Sequence, residues 1–407
     1  MQVPFFRVGI GEAEIAEVVD TLKSGWLTTG PKTRRFEEEF AATVGGAHAL
    51  ALNSCTAALH VAVEALGLQA GDGVLVPTMT FAATAEVVRY LGAVPIFVDC
   101  EPDTCNLDVA HAERLLTDHA RGRVAPGVTA ATRIVGVMPV HYGGYMADIA
   151  AVRALAERHG LWVVEDAAHA FPAAVRATPD APWQRCGSGT ADVTCYSFYA
   201  NKTITTGEGG MAVTNSSALA ARMKQMSLHG LSHDAWGRYS GGGSWDYKIV
   251  APGYKYNLTD IASAIGLHQL RRADDLRMAR ETRAAWYDES LARGTHAVPP
   301  PRSETRLHAW HLYPIQLRLD QVPVTRNQVM DGLKARGVTA SVHWRPLHMH
   351  PYYEERFGYT AEACPTAAAV FDRILSLPLF PTLSRDEVDY VVTALRQACG
   401  EAVEVHP

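Results

Sequence analysis

The chain has 407 residues, 48% of them hydrophobic and 20% charged, and a net charge of −6 at pH 7. That length exceeds a usual single domain and predicts two domains with a large core, while the charge balance gives no footprint for nucleic acid or an anionic membrane. No stretch is apolar enough to span a bilayer, Met1–Arg7 lacks the pattern of a signal peptide, and the cysteines form no C-x-x-C pair, so a cytoplasmic protein with free thiols is expected.

In chain order, Gly11–Ser24 reads as a helix expected to pack beside a smaller C-terminal domain. From about residue 45 to 230, apolar strand-like runs alternate with amphipathic helical ones. The strands are expected at 48–53, 73–77, 94–98, 133–140, 161–166, around 192–197 and at 210–214. Helices are expected at 56–66, 82–90, 149–159 and 217–226. Nearly continuous apolar strands in this alternation predict a mostly parallel sheet covered on both faces. Ligands in such sheets bind beyond the carboxyl ends of the strands. Asn53, Pro77, Asp99, His141, Asp166 and Ser197 fall at such ends. Beyond residue 265 the texture changes: one long charged helix, kinked or broken, spans 265–290. A Pro-rich stretch at 299–301 follows, then strands at 311–319 and 339–343 around a helix at 326–336. This predicts a smaller α+β domain.

Two residues carry the chemistry. Asp166 ends the buried run Leu161–Asp166, and a carboxylate there is costly unless paired. Lys202 follows the next strand and precedes the flexible turn Thr206–Gly210. An acid and an amine so placed can hold a pyridine ring between them: the acid pairs with the protonated nitrogen and the amine forms a Schiff base with an aldehyde. A structural ion pair for Asp166 and a surface loop for Lys202 are the plainer readings. Asn53–Ala58 opens a helix with small hydroxylated residues, which suits a phosphate at a helix amino end or an ordinary Ser/Thr cap. Phe81 is either core or a ring-stacking aromatic. His169, just past Asp166, can donate to a ring oxygen or stack on the ring. His308 and His311 (H-x-x-H) and the group His343, His348 and His350 lack carboxylate or thiol partners at ligand spacing, so no metal is expected.

The segments Asn53–Val61 (NSCTAALHV), Glu165–Phe171 (EDAAHAF), Ser197–Asn215, Gly253–Arg271 and Val342–Glu354 together resemble the nucleotide-sugar aminotransferases, the DegT/DnrJ/EryC1/StrS family of fold type I pyridoxal-phosphate (PLP) enzymes. The resemblance runs in order from about Gly11 to about Arg396. It implies an α/β fold, the PLP-dependent transferase fold type I, with a large domain at 25–263 and a small one from 1–24 and 264–407. It implies Lys202 as the Schiff-base lysine, Asp166 as partner of the pyridine nitrogen and Phe81 as the stacking aromatic. Thr56, Ala57 and Ser197 match phosphate-binding positions. His169 stands where many members have Gln and the 4-amino-arabinose branch has His. A residue from the neighbouring subunit closes the phosphate site in this family; here Lys255 or Asn257 takes that part, since the chain reads Gly-Tyr-Lys-Tyr-Asn. Trp26, Thr28, Thr29, His229 and His343 match regions lining the sugar-nucleotide site.

The implied reaction is amino transfer from L-glutamate to C4 of a nucleotide-linked 4-keto sugar, in a homodimer with shared active sites and with pyridoxamine phosphate as the intermediate cofactor form. The Ala- and Arg-rich texture favours dTDP-4-keto-6-deoxyglucose, a precursor in secondary metabolism, as substrate. A UDP-4-keto sugar or a 3-keto sugar is the alternative. The lysine at 202 argues against family members that carry His there and dehydrate the sugar. A non-catalytic regulator would need a DNA-binding extension, and a nicotinamide oxidoreductase a G-x-G-x-x-G after its first strand.

Overall fold

The apolar runs after residue 45 pair into one sheet in this computed structural model, which describes residues 1–231, 248–292 and 296–401. The strands are β1 (His48–Leu52), β2 (Gly73–Pro77), β3 (Val94–Val98), β4 (Ile134–Val137), β5 (Trp162–Asp166), the two-residue β6 (Ala174–Val175) and β7 (Gln184–Arg185), then β8 (Val193–Ser197) and β9 (Gly210–Thr214). Seven of them form the main sheet in the order β1-β9-β8-β5-β4-β2-β3. β9 runs antiparallel to both neighbours, and the other pairings are parallel.

Side chains alternate faces along each strand, and the packing follows that period. Val74, Val76, Phe97 and Val164 enter one core with α3 (Cys55–Ala65), α4 (Ala83–Tyr90) and α7 (Ser217–Met226). Leu75, Ile96, Val98 and Val163 enter another with α5 (Val109–Ala120) and α6 (Ile149–His159). Full burial of each such side chain is worth about 1.5–3 kcal/mol. The same parity turns Asp166 toward the α3 and α4 side and Glu165 away from it. A third cluster joins Met211 and Val213 of β9 to α2 (Pro31–Val44) and the inner face of helix Asp260–Arg271. Helix α1 (Glu12–Ser24) lies along that helix, while Val3 ahead of it enters the smaller core.

The smaller core gathers helices Ala273–Leu291, Arg326–Ala335 and Arg385–Ala398 on the sheet of β10 (Ala297–Val298), β12 (Tyr313–Leu317) and β13 (Ile374–Leu377). β11 (Arg306–Leu307) instead pairs with β6 of the larger unit. Leu347, Tyr353, Tyr359 and Val370 return to the core around α3, so the chain crosses between the two cores more than once. The expected strand at 339–343 is reduced to an isolated bridge between Ser341 and Ser376. The long charged helix breaks at Arg272 (φ −111°, ψ 17°), which reaches back to the Gly9 carbonyl and to Glu14 at 2.9 Å. Among the described residues no helix is long and apolar enough to cross a membrane.

Candidate active site

A cavity of about 380 Å³ opens where the carboxyl ends of β2, β5 and β8 meet the amino end of α3. Ser54 caps α3 by accepting the Ala57 N–H at 3.0 Å, a bond worth about 1 kcal/mol. The turn lines the cavity with Ser54, Cys55 and Thr56, whereas Ala57 lies behind them and is 2% exposed. Its N–H belongs to the cap. β9 begins directly against this turn. A Cβ on Gly210 would stand 2.4 Å from the carbonyl carbon and oxygen of Ser54, so only glycine lets the backbones meet.

Asp166 is buried, and its two oxygens are held differently. Oδ2 accepts the Thr84 hydroxyl at 2.7 Å and Oδ1 accepts the Ala168 N–H at 3.1 Å. Burial pushes its carboxyl above the usual range against the opposing pull of Thr84, Ala168 and Lys202. Lys202 hangs from the turn that follows β8, where its N–H donates to the Tyr199 carbonyl at 2.9 Å. Burial lowers its amine to about 8, although Cys55 and Asp166 pull the other way. An amine so placed is partly neutral near physiological pH, as a base requires.

Aromatic rings wall the cavity. His169 stacks on Trp344 (centroids 5.0 Å, 25°) and tilts against His311 at 4.2 Å. Burial, then the neighbouring Lys202 and His343, hold His169 well below its ordinary pKa, so its ring is neutral. His343 donates to or accepts from Ser376 at 2.9 Å, and burial lowers it to about 4. Phe81 lines the cavity yet is 62% exposed, which removes the core reading. Ser197 reaches the same wall.

Thus one chain brings together Thr56, Phe81, Asp166, His169, Ser197, Lys202 and His343. The other expected residues gather elsewhere. Asn257 donates to the Thr29 hydroxyl at 2.7 Å, and the Trp26 ring N–H donates to the Thr29 carbonyl at 3.1 Å. Thr28 accepts the Asp260 N–H at 3.1 Å, Lys255 bonds Asn257, and the exposed His229 donates its N–H to Tyr254 at 2.7 Å. None of these six lines this chain's cavity. Sequence reasoning missed Thr84 and Trp344, and noted His311 only within the H-x-x-H pair. Thr84 lies one helical turn beyond Phe81 and Trp344 follows His343, so spacing alone gave no reason to aim any of the three at Asp166 or His169.

The residues fit PLP. Among the described residues no ion pair holds buried Asp166, the buried His169 Nδ1 lacks a partner, and the cavity reaches the amino end of α3 at Ser54, Cys55 and Thr56, where a phosphate suits the helix. Behind Asp166, on the opposite face, His141, Glu165 and Cys186 bring ligand atoms within 4.8 Å of one another. His141 Nδ1 accepts the Ala147 N–H at 3.1 Å. That leaves the hydrogen on Nε2, facing Glu165 at 3.5 Å, where a metal would need the lone pair.

The DegT/DnrJ/EryC1/StrS aminotransferase family profile matches residues 9–396. The spore coat polysaccharide biosynthesis protein SpsC of Bacillus subtilis is 42% identical over 395 residues, covering 97% of this chain and 96% of its own. The solved structure of Spr1654 from Streptococcus pneumoniae in its PMP form superposes with a TM-score of 0.86 at 32% identity, over 98% of this chain and 99% of that one. PseC of Helicobacter pylori, an aminotransferase involved in the biosynthesis of pseudoaminic acid, gives a TM-score of 0.87 at 25% identity, over 98% of this chain and 100% of that one.

Proposed function

The chain belongs to the DegT/DnrJ/EryC1/StrS aminotransferase family, which makes it a PLP-dependent sugar aminotransferase, and from that premise we propose that it transfers the amino group of L-glutamate to C4 of a nucleotide-linked 4-keto sugar, dTDP-4-keto-6-deoxyglucose giving dTDP-4-amino-4,6-dideoxyglucose. The observation that carries the reading is the pairing of a buried Asp166 and a Lys202 amine lowered to about 8 on the walls of one cavity at the sheet's carboxyl edge. When bound, PLP supplies a carbonyl that exchanges amino groups and a cationic ring that delocalises a carbanion.

The chain's own residues supply the rest. Asp166, oriented by Thr84 and Ala168, would keep the ring nitrogen protonated. Lys202 Nζ would carry the proton to and from the substrate carbon, as general acid–base catalysis at neutral pH requires. Thr56, Ser197 and the free N–H groups at the start of α3 would hold the phosphate, and Phe81 and His169 would confine the ring. Lys255 is exposed and Asn257 partly exposed, and the Asn53 amide donates to the Lys255 carbonyl at 3.5 Å. That placement supports their reaching a neighbouring subunit's phosphate site, with Trp26, Thr28, Thr29 and His229 on the same surface and His343 on the cavity wall for the sugar nucleotide.

A UDP-linked 4-keto sugar is the second reading. His169 favours it, because the branch that aminates a UDP-linked pentose shares a histidine there. The test is direct. The pyridoxamine-phosphate form is mixed in turn with dTDP-4-keto-6-deoxyglucose, UDP-4-keto sugars and a 3-keto sugar, and each product is identified by NMR. Discharge by the dTDP 4-keto sugar with nitrogen at C4 supports the first reading. Selective discharge by a UDP sugar supports the second, and amination at C3 alone contradicts both.

A further inference from the structure

We propose that His311 is a positioning residue for the amine of Lys202, taking a hydrogen bond from the free ammonium and holding it at the cavity wall. The inference rests on the reading of Lys202 as the proton carrier. His311 comes from the smaller unit, and its Nε2 stands 3.5 Å from Lys202 Nζ. Among the described residues this is the one hydrogen-bond contact of that amine. The contact is long, as such bonds commonly are before substrate closes a site. A protonated lysine has three donors and no acceptor, so it needs a neutral or anionic partner.

The segment carrying His311 is built to deliver it. Trp310 sits at φ 53°, in the left-handed region that a bulky residue rarely adopts. Strain of this kind persists where the surroundings impose it. They do so from several sides. The Ala309 and Leu312 N–H groups donate to Gly144 and Gly143 at 3.0 and 3.1 Å. A Cβ on Gly144 would stand 2.8 Å from the His169 carbonyl and 3.2 Å from the His311 nitrogen, so the two loops meet without space for a side chain. The buried Arg280 guanidinium donates to the carbonyls of Leu379 (2.9 Å), Trp310 (3.3 Å) and His311 (3.4 Å). The ring is thus fixed on its backbone, beside His169.

Its charge state suits the part. Burial, then His169, Lys202, Arg280 and His343, hold His311 well below its ordinary pKa, so the ring stays neutral and can accept. The groups facing Lys202 are Asp166 at the end of β5, Cys55 at the start of α3, His169 after β5, His343 from the 341–344 segment and His311 itself. Asp166 acts on the amine through charge and burial keeps the Cys55 thiol protonated beside it, whereas His311 offers a lone pair. With Nε2 accepting, the hydrogen lies on Nδ1, a buried atom without a partner.

The experiment uses the full chain loaded with pyridoxamine phosphate, where Lys202 is free. Trace acylation across a pH series, read by peptide mass, gives its apparent pKa in wild type, His311→Leu, His311→Phe and His311→Gln. Leu and Phe remove the acceptor, Phe keeping a ring in case Leu prevents folding. Their Lys202 pKa should fall by about one pH unit, the worth of a hydrogen bond to a charged group. Their kcat should fall at least about tenfold while KM for the amino donor holds within about threefold. Gln, which retains an acceptor oxygen, should restore the pKa and most of kcat. An unchanged Lys202 pKa in the folded Leu or Phe variant, or a fall in Gln as large as in Phe, overturns the proposal. Full turnover by Lys202→Ala would instead overturn the reading on which it rests.

Discussion

Thr84 and Asp166 show how a single hydroxyl sets the working range of a buried acid. The Thr84 bond lowers the Asp166 pKa against the rise that burial imposes. Thr84→Val keeps the shape and removes the donor, so Asp166 should become a weaker acid. The acid limb of the pH–rate profile should then move to higher pH; an unmoved limb would mean that Asp166 is not the group titrating there. Asp166→Asn should leave the cofactor bound and lower kcat about 100-fold or more, the usual cost of removing a preorganised electrostatic partner. Lys202 gives a further pH dependence. Its folded-state pKa, about 8, lies below the unfolded 10.5. The unfolded chain therefore binds more protons between those values, and cofactor-free protein should gain stability as pH rises from about 8 to 10.5. Thermal melting across that range checks the sign. The acid and the amine were legible in the sequence because each interrupts an apolar pattern. Thr84, His311 and Trp344 were not, because their roles come from tertiary contacts.

At the scale of elements, the junction of β9 with α3 is the least tolerant. Gly210→Ala places a methyl 2.4 Å from the Ser54 backbone, where no side chain can rotate away. The variant should lose cofactor affinity and melt several degrees lower, as strained core substitutions of about 1–3 kcal/mol do. An unchanged melting point and cofactor affinity would show that the two backbones are not held together. The parallel strands were legible as apolar runs, and β2, β3 and β9 fall at the predicted bounds. Val109–Ala120 and Arg385–Ala398 have no counterpart in the sequence reading, although Asp108 caps the first and a Ser384–Glu387 box caps the second. The expected strand near 341 fails for a tertiary reason: it meets its neighbour only at Ser376 before the chain turns to the cavity as His343 and Trp344. The break at Arg272 carries no proline or glycine signal; contacts with Gly9 and Glu14 accompany it.

For the whole molecule, a division by cores assigns Leu347–Val370 to the larger unit. We therefore propose that the 25–263 unit of the sequence reading is completed by that returning segment. We propose that the six residues standing apart from this chain's cavity belong to a site shared between subunits. Mixing Lys202→Ala chains with chains altered at both Lys255 and Asn257 should restore activity through one working site per mixed dimer. Failure after verified exchange would remove the shared site. The central claim, that Lys202 holds the cofactor opposite Asp166, is tested most directly by borohydride reduction of the PLP-loaded protein followed by peptide mass mapping. The reduced cofactor's mass is expected on the peptide containing Lys202 and should be lost in Lys202→Ala. The same mass on another lysine, or its survival in that variant, would contradict that claim.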